Sequence, residues 1–136
     1  DVRGCDFSAG SELALRRKGA AFVRLDLDSD DDMAAFGFRS DIVACFEVAE
    51  HLHEKRARPL VRFLLSIAPV VCFSAAPSGQ GGILHVNEQA PDYWIRLFNS
   101  ENGELDAACG EKMRKRWQEQ GIDNPRVRNF MVFRRR

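Results

Sequence analysis

The chain has 136 residues, of which 45% are hydrophobic, 10% aromatic and 29% charged. That profile fits one globular domain over residues 1–136 and excludes a disordered or fibrous chain. Its 20 basic and 20 acidic side chains sum to +0, which disfavours a general polyanion binder, since such proteins carry a surplus of cations. No apolar run approaches the ~20 residues of a membrane span. The longest, from Phe63 to Ala76, is broken by Pro69.

The first residues, Asp1 to Gly10, read as the end of a strand followed by a loop with two glycines. The chain opens without Met and shows no signal-peptide pattern; the expectation is that residues upstream are missing. Ser11 to Lys18 holds Leu13 and Leu15 among helix formers, with Gly19 as a stop. Ala21 to Leu27 alternates at period two, as a strand does. Asp30 to Arg39 reads as a loop with at most one helical turn. Asp41 to Glu47 is an apolar run of strand length, suited to burial on both faces. His53 to Ile67 sets Leu60, Phe63, Leu64 and Ile67 at helical spacing.

Pro69 introduces a further buried strand, Val70 to Phe73. Gly79, Gly81 and Gly82 mark a loop. Pro91 to Phe98 is helical with Pro91 near its first turn. Glu111 to Gln120 is a second, more polar helix, and Asn129 to Phe133 closes the chain as a strand. Strands alternating with helices predict an α/β fold with a mostly parallel sheet and helices on both faces. In such sheets ligands bind beyond the carboxyl ends of the strands.

The four cysteines, Cys5, Cys45, Cys72 and Cys109, form no CxxC pair and no zinc-type spacing. Reduced thiols in a cytoplasmic protein are expected. An acidic knot, Asp26 to Asp32, stands against a basic tail that ends Arg134-Arg135-Arg136.

Four segments stand out at the expected strand ends. Gly4 to Gly10 offers glycines at a strand-to-helix turn, where backbone amides approach a ligand. Asp26 lies 16 residues past Gly10, and a carboxylate there suits the two hydroxyls of a ribose, with Asp28 as a competitor. Glu47, Glu50 and His51 stand at offsets of three and four, so a helix would place them on one face. Ser74 to Gln89 joins a glycine-rich loop to His85, Asn87, Glu88 and Gln89, which is poor core material. Its bland alternative is an exposed connection whose Glu88 and Gln89 cap the next helix.

Together these residues resemble class I S-adenosylmethionine-dependent methyltransferases. DIVACFEVAEHL, residues 41–52, is similar to the family's fourth strand and the acidic-histidine segment after it. FSAAPSGQGGILHVNEQAPDYWIRLF, residues 73–98, resembles the fifth strand and following loop of small bacterial members with an HVNEQ segment. The resemblance implies a Rossmann-like methyltransferase fold with a closing antiparallel strand. The segment between Leu27 and Phe36 is too short for a full helix, strand and loop, so a short or missing third strand is expected.

By resemblance, Gly4, Cys5, Gly10, Asp26, Phe46 and Glu47 would bind S-adenosylmethionine. His51 and His85 would be catalytic, with an imidazole as general base for O- or N-methylation. Asn87 and Gln89 would meet a small-molecule or glycan-like acceptor. The glycine loop departs from the family's pattern, since Arg3 interrupts it and Asp6 stands near an expected glycine. Asp6 or Phe7 is then expected to be left-handed, and the cofactor weakly held. Two other readings remain in the sequence. Glu47, Glu50, His51 and His85 resemble the metal set of small-RNA 2′-O-methyltransferases, with the basic tail on RNA phosphates. The chain also fits a non-catalytic scaffold that kept the fold.

Overall fold

The computed structural model describes residues 2–136. The chain divides into two compact units, one ending at Gly37 and one from Phe38 to Arg136.

The first unit runs β1 (Arg3–Asp6), α1 (Ala9–Arg17), β2 (Ala21–Arg24) and α2 (Asp30–Ala35). β1 and β2 pair in parallel, Arg3 opposite Ala21 through Asp6 opposite Arg24. The helix start is chemical: Ser8 Oγ accepts from the amides of Gly10 and Ser11, satisfying donors that a first turn leaves open. Glu12 lies in that turn and Arg16 and Arg17 in the last, which suits the helix dipole. Gly19, at φ 72°, turns the chain out of α1. Gly4 lets α1 lie close on β1, since a Cβ there would be 2.2 Å from Leu15 Cδ1. α2 starts on Ser29, whose hydroxyl accepts from Asp32 N–H. No strand lies between Arg24 and Ile42 among the described residues, as the short spacing requires.

The second unit holds β3 (Ile42–Phe46), α3 (Ala57–Ile67), β4 (Val70–Ser74), α4 (Pro91–Ser100), β5 (Gly103–Leu105), α5 (Ala107–Glu119), α6 (Pro125–Arg128) and β6 (Met131–Arg135). Its sheet runs β3-β4-β6-β5. β3 and β4 are parallel, Ile42 opposite Val70 through Phe46 opposite Ser74. β6 is the closing antiparallel strand, paired with both β4 and β5. The molecule is α/β with a mixed, shortened sheet.

The core lies on β4 and the two helices of strongest apolar spacing. Leu60 and Val61 of α3, Val71 and Phe73 of β4, Trp94 and Phe98 of α4, and Phe133 of β6 are at most 1% exposed. Phe98 stacks on Phe133 with ring centroids 3.8 Å apart. Phe73 meets Trp94, Phe98 and Phe133 edge-on or tilted at 5.0 to 6.3 Å. Such contacts add to the area burial of the rings.

Three details differ from the sequence reading. β5 and α6 were not anticipated, because three and four residues are too few for a period to show. α5 begins at Ala107, since Asp106 accepts from Cys109 N–H at 2.9 Å and caps it there. The helical stretch from His53 opens as a short 3-10 turn, Glu54–Arg56, before α3. All four cysteines are unbridged. Among the described residues no helix is long and apolar enough to cross a membrane.

Candidate functional site

The second unit brings seven of the singled-out residues onto two segments that follow adjacent parallel strands. After β3 the chain bends sharply at Glu47, which adopts φ 52°. This left-handed backbone costs a side-chain-bearing residue about 1–2 kcal/mol. Its N–H is drawn to the carbonyl of Ser74, at the end of β4, at 2.9 Å. Glu47 therefore does not share a helical face with Glu50 and His51. Those two belong to a 3-10 turn, Ala49–His51. Glu47 Oε2 accepts from Gln80 Nε2 at 3.0 Å, and Gln80 Oε1 accepts from Asn129 Nδ2 at 2.9 Å.

The turn and the Ser74 to Gln89 segment are tied by backbone. The carbonyl of Glu50 accepts from both Val86 and Asn87 N–H, at 2.9 and 3.1 Å. These two hydrogen bonds to one carbonyl set His85 beside His51, with ring centroids 4.9 Å apart and planes at 83°. His51 is exposed and His85 half-buried. His51 Nδ1 lies 3.3 Å from the Leu84 carbonyl, and Leu84 holds a left-handed φ of 60°. His85 Nδ1 lies 2.9 Å from Glu88 Oε1.

Glu88 organises the glycine-rich loop. Its carboxylate accepts from the amides of Gly79 and Gly81, each at 2.8 Å. Both glycines have positive φ, 87° and 70°, which only glycine adopts without strain. The His85 hydrogen bond, and then the Gly79 amide, hold the Glu88 carboxyl below its ordinary range. α4 starts on Ala90 with no side-chain cap, so Glu88 and Gln89 are not its caps. The sequence reading placed Glu88 in this polar segment and offered it a role of its own only as a helix cap; its hold on His85 and on the two glycine amides is tertiary.

Glu50 is 0% exposed and neither carboxylate oxygen has a hydrogen-bond partner. Burial pushes its carboxyl above the ordinary value. Asn87 is buried too; its Oδ1 accepts from Gln89 Nε2 at 3.0 Å while its Nδ2 has no partner. Glu47 Oε1, Ser74 Oγ and Trp94 Nε1 share that condition. An unpartnered buried polar group costs about 1–3 kcal/mol, so Glu50 and Asn87 in particular are placed to gain from a polar or charged partner. Donor atoms of Glu50, His51 and His85 all lie within 4.8 Å of one another; Glu47 is outside that group. Phe46 stands apart from these, on a cavity of about 150 Å³ shared with Trp117, Ile122, Asn124, Arg126 and Phe130.

In the first unit, Gly4 and Cys5 lie on β1 and Gly10 in the first turn of α1. Neither Asp6 nor Phe7 is left-handed, contrary to expectation. Asp6 instead accepts from Ser8 N–H at 2.8 Å and Ser11 Oγ at 2.9 Å, bracing the helix start. Asp26 is exposed, two residues past β2. Its Oδ1 accepts from Asp28 N–H at 2.9 Å, and its own N–H donates to Asp32 Oδ2 at 3.1 Å.

Solved structures share this fold. Magnesium protoporphyrin IX methyltransferase from Synechocystis PCC 6803, with bound SAH, matches with a TM-score of 0.62 at 16% identity, over 99% of this chain and 64% of that one. A TehB-like SAM-dependent methyltransferase from Corynebacterium glutamicum matches at 0.61 and 17% identity, over 100% of this chain and 68% of that one. A structure described by the conversion of a disulfide bond into a thioacetal group during echinomycin biosynthesis matches at 0.62 and 14%, over 98% and 66%. The fold is therefore the Rossmann-like α/β fold of methyltransferases, and the chain spans about two-thirds of the length of these neighbours. No family model and no curated protein matches the sequence.

Proposed function

We propose that the chain is an S-adenosylmethionine-dependent methyltransferase, or the core part of one, acting on a small-molecule or glycan-like acceptor. The observation that carries this reading is the polar cluster after β3 and β4. Glu50, His51, His85 and Asn87 gather on two segments that follow the carboxyl ends of adjacent parallel strands, where open α/β sheets place their ligands.

The residues fit the cofactor unequally. Asp26 is exposed at a strand end with a carboxylate of which one oxygen serves the Asp28 amide, and it suits a ribose diol. Glu47 Oε1 is buried and unpartnered, and it suits a polar part of the methionine end. The Gly10 amide is engaged by Ser8 Oγ, so Gly4, Cys5 and Gly10 offer close backbone approach more than free donors. Phe46 offers an aromatic surface.

The sulfonium of the cofactor supplies an activated methyl. This chain's task is then to orient the acceptor, exclude water and manage the acceptor's proton. His51 and His85 carry that chemistry, and Glu88 fixes the orientation of His85. Asn87 and Gln89, on the segment that carries His85, are the residues we assign to acceptor hydroxyls or amides.

Calorimetric titration of the chain with S-adenosylhomocysteine tests the reading. Saturable binding near micromolar, about −8 kcal/mol, is expected. Absence of binding would overturn it and leave the scaffold reading.

A further inference from the structure

We infer that Glu50, His51 and His85 form a site for one divalent transition-metal ion. Their donor atoms lie within 4.8 Å of one another. Metal bonds of about 2.0–2.2 Å would set neighbouring donors roughly 3 Å apart, so the three side chains need only close by rotamer adjustment. They sit on segments already joined through the Glu50 carbonyl and the Val86 and Asn87 amides.

Two independent features point to a cation. Glu50 is fully buried with both carboxylate oxygens unpartnered, a placement that is costly unless a positive charge meets it. Each imidazole has its Nδ1 beside an oxygen acceptor, the Leu84 carbonyl for His51 and the Glu88 carboxylate for His85. That is the outer arrangement that orients metal-bound histidines and leaves Nε2 with its lone pair.

The donor set selects the ion. Two imidazoles and one carboxylate suit Mn²⁺, Co²⁺ or Zn²⁺ better than Mg²⁺ or Ca²⁺, which prefer oxygen ligands. Three protein donors leave coordination positions open, as catalytic metal sites do. Glu47 is not among the donors, because its carboxylate lies outside the group formed by Glu50, His51 and His85. The role of the ion rests on the methyl-transfer reading: it would hold an oxygen of the acceptor and ease loss of its proton, so that with the ion bound the two imidazoles serve as its ligands in place of acting as the base. The existence of the site does not rest on that reading.

The test is titration of the chain with CoCl₂, followed by visible absorption and calorimetry, with ZnCl₂, MnCl₂ and MgCl₂ in parallel. One equivalent of Co²⁺ should bind, with d–d bands of an N/O site, and Mg²⁺ at least 10-fold more weakly. Glu50→Gln and His85→Ala should each weaken Co²⁺ binding at least 100-fold, and Glu88→Gln 10- to 100-fold. Glu47→Gln should leave it within 3-fold. Circular dichroism checks that each variant is folded, and His51→Ala, at an exposed position, supplies a substitution of little structural cost. No saturable binding of Co²⁺, Zn²⁺ or Mn²⁺ overturns the proposal, as does binding indifferent to Glu50→Gln and His51→Ala or lost in Glu47→Gln. S-adenosylhomocysteine binding, measured separately on the same protein, shows which of the two readings has failed.

Discussion

Gly82 passes so close to the His85 imidazole that a Cβ on residue 82 would lie 2.4 Å from both Cε1 and Nε2 of the ring. Real side chains do not approach that closely, so any other residue here must move the histidine. The ring has another fixed neighbour, the Glu88 carboxylate at 2.9 Å from Nδ1. His85 is therefore oriented by the Glu88 carboxylate at Nδ1, with the side-chain-free Gly82 packed against the rest of the ring.

Gly82→Ala should displace His85 without unfolding the chain. Residue 82 is exposed, so no core packing is lost, but its φ of 158° disfavours a Cβ and a stability loss of about 1–3 kcal/mol is expected. The His85 ring resonances should shift, and those of the core aromatics should not. Unchanged His85 shifts would refute the close approach.

The core predicts a larger effect. Phe98 is 0% exposed, stacks on Phe133 at 3.8 Å and meets Phe73 at 5.3 Å. Phe98→Ala removes all of these contacts and leaves a hole between α4 and the sheet. A loss of about 3–5 kcal/mol is expected in urea unfolding. A loss under 1 kcal/mol would mean that the site collapses or that the packing is looser than the ring distances imply.

Much of this was legible in the sequence because the signals are long or chemical. The apolar runs of β3 and β4 and the apolar spacing of α3 carry enough residues for a period to show. The convergence of His51 and His85 followed from placing both after neighbouring strands. What escaped notice was short or tertiary. β5 is three residues long. Glu47 leaves the helical pattern because its N–H is claimed by Ser74, 27 positions away, which no local rule foresees. Glu88 looked like a helix cap, and only the fold shows the Gly79 and Gly81 amides turned onto it.

The surface link between α3 and the end of α4 should be acid-sensitive. Glu101 accepts from Arg62 Nε at 2.6 Å and also from Arg58. The Arg62 hydrogen bond, then Arg58, hold its carboxyl below the ordinary range. The unfolded chain has the ordinary Glu value of about 4.3. The contribution is thus present in full above that value and is lost as pH falls through the lower, folded-state value. Glu101→Gln should be less stable than wild type near pH 7, and the gap should close below about pH 4. Urea midpoints of both proteins between pH 7 and pH 3 measure this, and a gap that persists in acid would contradict it.

Asp6 should matter through the helix, not through a ligand. It receives Ser8 N–H and Ser11 Oγ at the start of α1. Asp6→Ala should cost about 0.5–2 kcal/mol, in the range of lost helix caps. Amide exchange should quicken in residues 9–13, and S-adenosylhomocysteine affinity should change by less than 3-fold. A large affinity loss with unchanged exchange would make Asp6 a cofactor contact.

Asp26 is the sharper test of the cofactor assignment. It is exposed at the end of β2 with its Oδ1 on the Asp28 amide, which orients the carboxylate without using both oxygens. Charge-assisted hydrogen bonds to a ribose diol would be worth about 1.5–3 kcal/mol. Asp26→Ala should therefore weaken S-adenosylhomocysteine binding roughly 10- to 150-fold, and Asp26→Asn should recover part of the loss by keeping one oxygen acceptor. The local turn is a competing cause, because the substitution also removes the bond to Asp28 N–H. Asp26→Asn separates the two, since it keeps an oxygen acceptor for Asp28 N–H and removes only the charge, while Asp28→Ala tests the competing carboxylate with that bond intact. The same loss in Asp28→Ala, with Asp26→Ala unaffected, would move the ribose contact to Asp28. An unchanged dissociation constant in both would remove this acidic segment from the cofactor site.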